Sequence, residues 1–107
     1  MKHSELRVFK DNGQKITCLT AYDASMAKLI DGAGVDVILI GDSLGMVIQG
    51  SENTRSVSMN DMLYHSAIVA NACNQSLVIA DMPFHSYDNP KTALVNAKEL
   101  IDNGAHM

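Results

Sequence analysis

Two aspartates, Asp42 and Asp81, stand where an α/β protein most readily does chemistry. Each closes a short apolar run: Val35 to Ile40 and then Gly41 precede Asp42, and Leu77-Val78-Ile79-Ala80 precedes Asp81. Runs of this length and β-branched content read as strands covered on both faces of a parallel sheet. Such sheets bind ligands at the C-terminal edge of their strands, so both carboxylates are delivered to one rim. Two like charges brought close are unfavourable unless a proton or a cation lies between them. A hard divalent ion such as Mg2+ meets that need with oxygen ligands and leaves positions open for a chelating substrate. Ser43 adds a hydroxyl and a backbone amide beside them. The plainer account, in which each aspartate only caps the loop or helix that follows its strand, fits the same spacing.

The other polar residues carry weaker signals. His65 falls within a helix and reads as bonding a neighbouring loop, while His85 follows Asp81 on a loop with Pro83, which gives no helical pair of ligands. His3 and His106 suggest nothing. Tyr22-Asp23 stands on the same rim as the aspartates, with Asp23 read as a helix cap. Cys18 and Cys73 are far apart and read as small, buried, reduced thiols. No GxGxxG, Walker, CxxC or GxSxG pattern occurs, which leaves nucleotide, zinc-ribbon and serine-hydrolase chemistry unsupported. GDSLG at 41–45 is expected to have no helix directly after it and so is not read as a phosphate loop.

Alternating elements must position these groups. Residues 1–15 form a polar segment with a turn at Asn12-Gly13. Thr17 to Ala21 reads as a first strand. The helix after it carries Met26, Leu29, Ile30 and Ala33 on one stripe and closes at Gly32 and Gly34. The strand Val35 to Ile40 leads into a long loop from Gly41 to about Val57, a length more often functional than not. Ser58 and Asp61 have capping-box spacing for a helix to about Asn74, with Met62, Ser66, Val69, Ala70 and Cys73 inward. After the third strand, Leu77 to Ala80, Asn89-Pro90 starts a helix striped by Leu94, Ala97 and Ile101 and closed by Gly104. Ala105-His106-Met107 would open a fourth strand. The order β-α-β-α-β-α-β over 16–107 implies right-handed crossovers and a parallel sheet. It fits the first three to four βα units of a (β/α)8 TIM barrel of about 250 residues, so the chain reads as the first part of a longer protein.

Composition narrows the classes. With 107 residues, 47% hydrophobic and 19% charged, the chain is long enough for one small globular domain. A net charge of −4 without a Lys/Arg run argues against nucleic acid and anionic membranes as partners. The apolar runs are far shorter than the roughly 18 residues of a membrane span. The first residues lack the apolar core of a secretory signal, which suggests a cytoplasmic protein.

Longer stretches carry a resemblance. TAYDASMAKLIDGAGVDVILIGDSLGMVIQG at 20–50, MLYHSAIVANA at 62–72, VIADMPFHSY at 78–87 and NGAHM at 103–107 resemble the ketopantoate hydroxymethyltransferase family. The resemblance implies a (β/α)8 barrel assembled as a homo-oligomer, a decamer in the full-length family. It implies transfer of a hydroxymethyl group from 5,10-methylenetetrahydrofolate to α-ketoisovalerate in pantothenate biosynthesis. It further implies that Asp42 and Asp81 bind Mg2+ and that Asp42, Ser43 and Asp81 contact the keto acid. The family's substrate-binding Lys, a further Glu near the metal and the acidic proton-transfer residue fall beyond Met107, so no catalytic residue is assigned within the chain and the 107 residues alone are expected to lack transferase activity.

Three other readings compete. A Mg2+-dependent keto-acid enzyme of the phosphoenolpyruvate mutase and isocitrate lyase group would share the AYDA-like start but needs an acid-rich DxDxGYG-type turn where Asp81-Met82-Pro83-Phe84 stands. A receiver-like signalling module would need a pair of acids after the first strand and a Lys after a fifth. A non-catalytic fragment would only pack against a partner chain.

Overall fold

The structure, a computed structural model, describes residues 1–107. Three parallel strands form one sheet in the order β1-β2-β3, with β1 at Cys18–Thr20, β2 at Val37–Ile40 and β3 at Leu77–Ala80. Cys18 pairs with Val37, and Val37 in turn with Leu77, so the three strands start level with one another and β1 ends one step before β2 and β3. The connections are helical: α2 (Ala24–Gly32) between β1 and β2, and α4 (Met59–Ala72) between β2 and β3. A further helix, α5 (Pro90–Asp102), follows β3. The expected alternation of strand and helix is present, and the sheet is parallel throughout.

Local chemistry explains the helix starts. Asp23 accepts the Met26 amide at 2.8 Å, and Asn89 accepts that of Thr92 at 2.9 Å, with Pro90 in the first turn. The capping box expected at Ser58 forms in both directions, each bond 3.0 Å long. The Asp61 carboxyl is held below its usual range by the Ser58 amide and then by the Gln49 side chain.

The core lies between the sheet and its helices, around Ile38, Ile40, Leu44, Met62, Val69 and Val78, all fully buried. Along α4, Met62, Ser66 and Val69 face inward as expected, together with Ala72, whereas Ala70 and Cys73 are only half-buried. The stripes expected on the other two helices are out of phase. On α2 the buried residues are Ala27, Ile30 and Asp31, while Met26 and Leu29 face solvent. On α5 Leu100 is buried, while Leu94 and Ile101 are exposed and Ala97 is half-buried. The phase shift on α2 follows from Asp31, a charged residue outside the expected stripe of Met26, Leu29, Ile30 and Ala33. It is buried because its carboxylate accepts the amides of Asn74, Gln75 and Ser76 at 2.7 to 3.0 Å.

Other departures have equally local causes. Residues His3–Asp11, expected as a polar segment, form a helix, α1, that buries nothing and keeps only Leu6 and Phe9, one turn apart, half-buried. Gly13 closes the turn after it with φ +68°. Within the long loop, Leu44–Val47 winds into a single helical turn, α3, directly inside GDSLG, contrary to the expectation that no helix follows that motif. The Gly41 and Asp42 carbonyls accept the amides of Leu44 and Gly45, and fully buried Leu44 pins the turn. Both cysteines are free thiols, but Cys18 is exposed rather than buried, because β1 is the sheet's edge and no element of the chain covers it. Beyond α5, the His106 amide donates to Val78 O at 2.8 Å and the Ala80 amide to Met107 O at 2.9 Å. Val78 donates instead to His106 Nδ1, so pairing with β3 begins without becoming a regular strand.

Candidate active site

The three strands end at one rim, and each contributes a polar group. The backbone leaves β1 through buried Ala21, whose amide still donates to Leu39 O at 3.2 Å, and this carries Tyr22 to the rim. Past β2 come Gly41, Asp42 and Ser43, and past β3 comes Asp81, whose amide donates to Ile40 O at 2.9 Å. The ladder therefore runs one step beyond the strands and fixes these residues side by side.

The Asp81 carboxylate crosses to the neighbouring strand: its Oδ2 accepts the Asp42 amide at 3.0 Å. Ser43 Oγ lies 2.9 Å from the Tyr22 hydroxyl. Gly41 reveals where these atoms converge. A Cβ on Gly41 would sit 3.1 Å from Ser43 Oγ, 3.4 Å from Asp81 Oδ2 and 3.7 Å from Tyr22 OH. Three oxygens from three consecutive strands thus surround one point that only a missing side chain leaves free.

Tyr22 is held in turn by α4. His65 Nδ1 lies 2.7 Å from the Tyr22 carbonyl, which can only accept, so Nδ1 carries the proton. The two rings meet edge to face with centroids 6.2 Å apart. The loop that His65 was expected to bond is therefore the rim itself. His85, by contrast, points away to the Asp88 carboxylate at 2.9 Å, with φ +66°. Its ring lies against Phe84, over which Arg55 reaches from the preceding loop at 5.8 Å. The largest cavity, about 550 Å3, lies between Met1 to Ser4, Leu77 and His106, at the opposite end of the strands and without an acid.

The structure brings the Asp42 amide, Ser43 Oγ and Asp81 Oδ2 together, and joins to them the Tyr22 hydroxyl and the open space at Gly41. Tyr22 was visible as a rim residue. Its partner was not, because nothing in the spacing says that a tyrosine after β1 reaches a serine after β2. The donors are all hard oxygens, of the kind Mg2+ takes. No group of three or more His, Cys, Asp or Glu side chains is assembled. The two aspartates alone could hold such an ion only with water or substrate completing its shell, the ordinary arrangement for Mg2+.

The family model described as ketopantoate hydroxymethyltransferase matches residues 1–107. The chain belongs to this family. Among curated relatives, the 3-methyl-2-oxobutanoate hydroxymethyltransferase of Vesicomyosocius okutanii subsp. Calyptogena okutanii is 56% identical over all 107 residues, which cover 41% of the relative. That of Ruthia magnifica subsp. Calyptogena magnifica is 57% identical over the same span and also covered to 41%. The chain thus spans about two fifths of the length of these hydroxymethyltransferases. Among solved structures, a phosphonopyruvate hydrolase complex with oxalate and Mg2+ superposes with TM-score 0.78 at 21% identity, over 98% of this chain and 37% of the other. The phosphoenolpyruvate phosphomutase of Streptomyces platensis subsp. rosaceus gives 0.76 at 20%, over 99% and 36%. These likenesses show the fold alone, the first βα units of a TIM barrel. The sequence identity places the chain with the hydroxymethyltransferases.

Proposed function

We propose that this chain supplies the metal-binding and keto-acid-binding part of a ketopantoate hydroxymethyltransferase, which moves a hydroxymethyl group from 5,10-methylenetetrahydrofolate to α-ketoisovalerate. The observation that carries this reading is the convergence of the Tyr22, Ser43 and Asp81 oxygens beside Gly41, next to the Asp42 amide. In this reading Asp42 and Asp81 hold Mg2+. When bound, the ion polarises the carbonyl of the keto acid and acidifies the adjacent C–H. The chain's own part is to bind and orient. Asp81 stays fixed through its Oδ2, leaving Oδ1 for the ion, and Ser43 donates a hydrogen bond to the keto acid. Gly41 keeps open the space that the small acid needs. The proton-abstracting base, the pocket for the one-carbon donor and the closure of the barrel belong to the remaining three fifths of the relatives' length. Exposed Leu94, Val95 and Ile101 on α5 are the faces such a barrel would cover. The same reading extends to a homo-oligomer, decameric when full-length, and to the cytoplasm; no helix is long and apolar enough to cross a membrane.

Amide NMR of the labelled chain tests the binding half. Mg2+ with α-ketoisovalerate is expected to shift the Asp42, Ser43 and Asp81 amides, and Asp81→Asn to abolish the response. Unmoved rim amides at saturating ligand would refute the site. Incubated with both substrates, the chain alone should show no transfer. Turnover near that of a full-length transferase would refute the assignment of the base and donor pocket to the rest of the protein.

A further inference from the structure

We propose that Tyr22 is a positioning residue of this site: its phenol hydroxyl donates to Ser43 Oγ and so aims the Ser43 proton into the space beside Gly41, towards an anionic oxygen of a 2-keto acid. The proposal rests on the function proposed above. A serine hydroxyl has one proton and a free rotor. Left alone beside Asp81, whose Oδ2 borders the same space, that proton would turn to the aspartate, the nearest full negative charge. A substrate anion would then meet a lone pair instead of a donor. The Tyr22 hydroxyl, 2.9 Å away, fills one acceptor position of Oγ and restricts the directions left to its proton.

Two features separate this role from mere pairing of buried polar atoms. Tyr22 and Ser43 are both only half-buried, so water could satisfy either hydroxyl and desolvation does not force them together. Tyr22 is also fixed from two sides. Its neighbour Ala21 is bonded into the sheet, and its carbonyl is held by His65 of α4 at 2.7 Å. A side chain needed only to fill space would not require its main chain to be clamped by a helix that reaches the sheet across 43 positions of sequence.

Tyr22→Phe keeps the ring and removes only the hydroxyl. In the ligand-free chain, the Ser43 Hα–Hβ couplings should change from those of one rotamer to an average. With Mg2+ present, α-ketoisovalerate should bind roughly three- to tenfold more weakly, the range expected for one neutral hydrogen bond. Binding of Mg2+ alone should not change. Ser43→Ala should weaken the keto acid similarly, and adding Tyr22→Phe to it should cost nothing more. Unchanged Ser43 couplings, unchanged keto-acid affinity, or fully additive effects of the two substitutions would each overturn the proposal. A wild-type chain that binds no keto acid overturns both this proposal and the reading beneath it. A wild type that binds, beside a Tyr22→Phe variant that binds equally well, overturns this one alone.

Discussion

Asp31 offers the sharpest test of how the fold holds its site. The residue is 5% exposed, and burial by itself would raise its pKa. The amides of Ser76, Asn74 and Gln75 outweigh that effect and bring the carboxyl from 3.8 down to about 2. Such a drop corresponds to about 2.5 kcal/mol of preference for the charged form in the folded state. The amides belong to the link between α4 and β3, so the carboxylate sets where β3, and with it Asp81, begins. Asp31→Asn removes the charge and turns an amide NH2 towards backbone donors, leaving at least one of them unpaired at about 1–3 kcal/mol. The expected loss at pH 7 is about 3 kcal/mol, read as a lower urea midpoint with an unchanged slope. The pH dependence follows with its sign. The folded pKa lies below the unfolded one, so the stabilisation is complete above about pH 5 and disappears as pH falls through 4 towards 2. Asp36, bonded by the Thr17 amide and hydroxyl, adds in the same direction. The wild-type chain should therefore lose more stability than Asp31→Asn between pH 5 and 2, and the two should converge. A variant within 0.5 kcal/mol of wild type at pH 7 (about the scatter expected of neutral surface changes), or parallel acid curves, would refute the account of Asp31 as the clamp.

Two glycines give further predictions. Gly104→Ala places a side chain at φ +108° and a Cβ 2.5 Å from that of Ala70, so it should destabilise by about 3 kcal/mol in urea unfolding and separate α5 from α4. Gly45→Ala would set a Cβ 2.6 Å from Val57 Cγ2, and the loop should shift enough to move the Ser43 amide resonance even where the overall loss stays near 1–2 kcal/mol.

Much of this was legible in the chain itself, for reasons that can be named. The apolar runs at Val35 to Ile40 and Leu77 to Ala80 could only be interior strands, and β2 and β3 lie within them. Caps at Asp23, Ser58 and Asn89 are short-range chemistry and formed as read. The features that were misread, or not read at all, depend on distant partners. Asp31 is inside because three amides more than forty residues away need an acceptor there. Leu94 and Ile101 are outside because nothing in this chain packs on that face of α5. Helix α1 buries no residue, and its apolar pair Leu6 and Phe9, one turn apart, is too short a signal to stand out from a polar segment. At the rim, the aspartates were legible because each ends a strand, whereas the Tyr22–Ser43 pair joins two strands and appears only once the sheet is assembled.

Because Tyr22, Ser43 and Asp81 hang from neighbouring strands, the floor of the site is ruled by the spacing of the sheet. Strands repeat about every 4.8 Å, so the floor measures about 10 Å from β1 to β3. Under the function proposed above, that width would have to hold a five-carbon acid with an ion and a water or two. Substitutions in the surrounding helices could tilt this floor but not broaden it. Accommodating a bulkier acid would fall to the loops above, since hydrogen-bonded backbone has no wider setting.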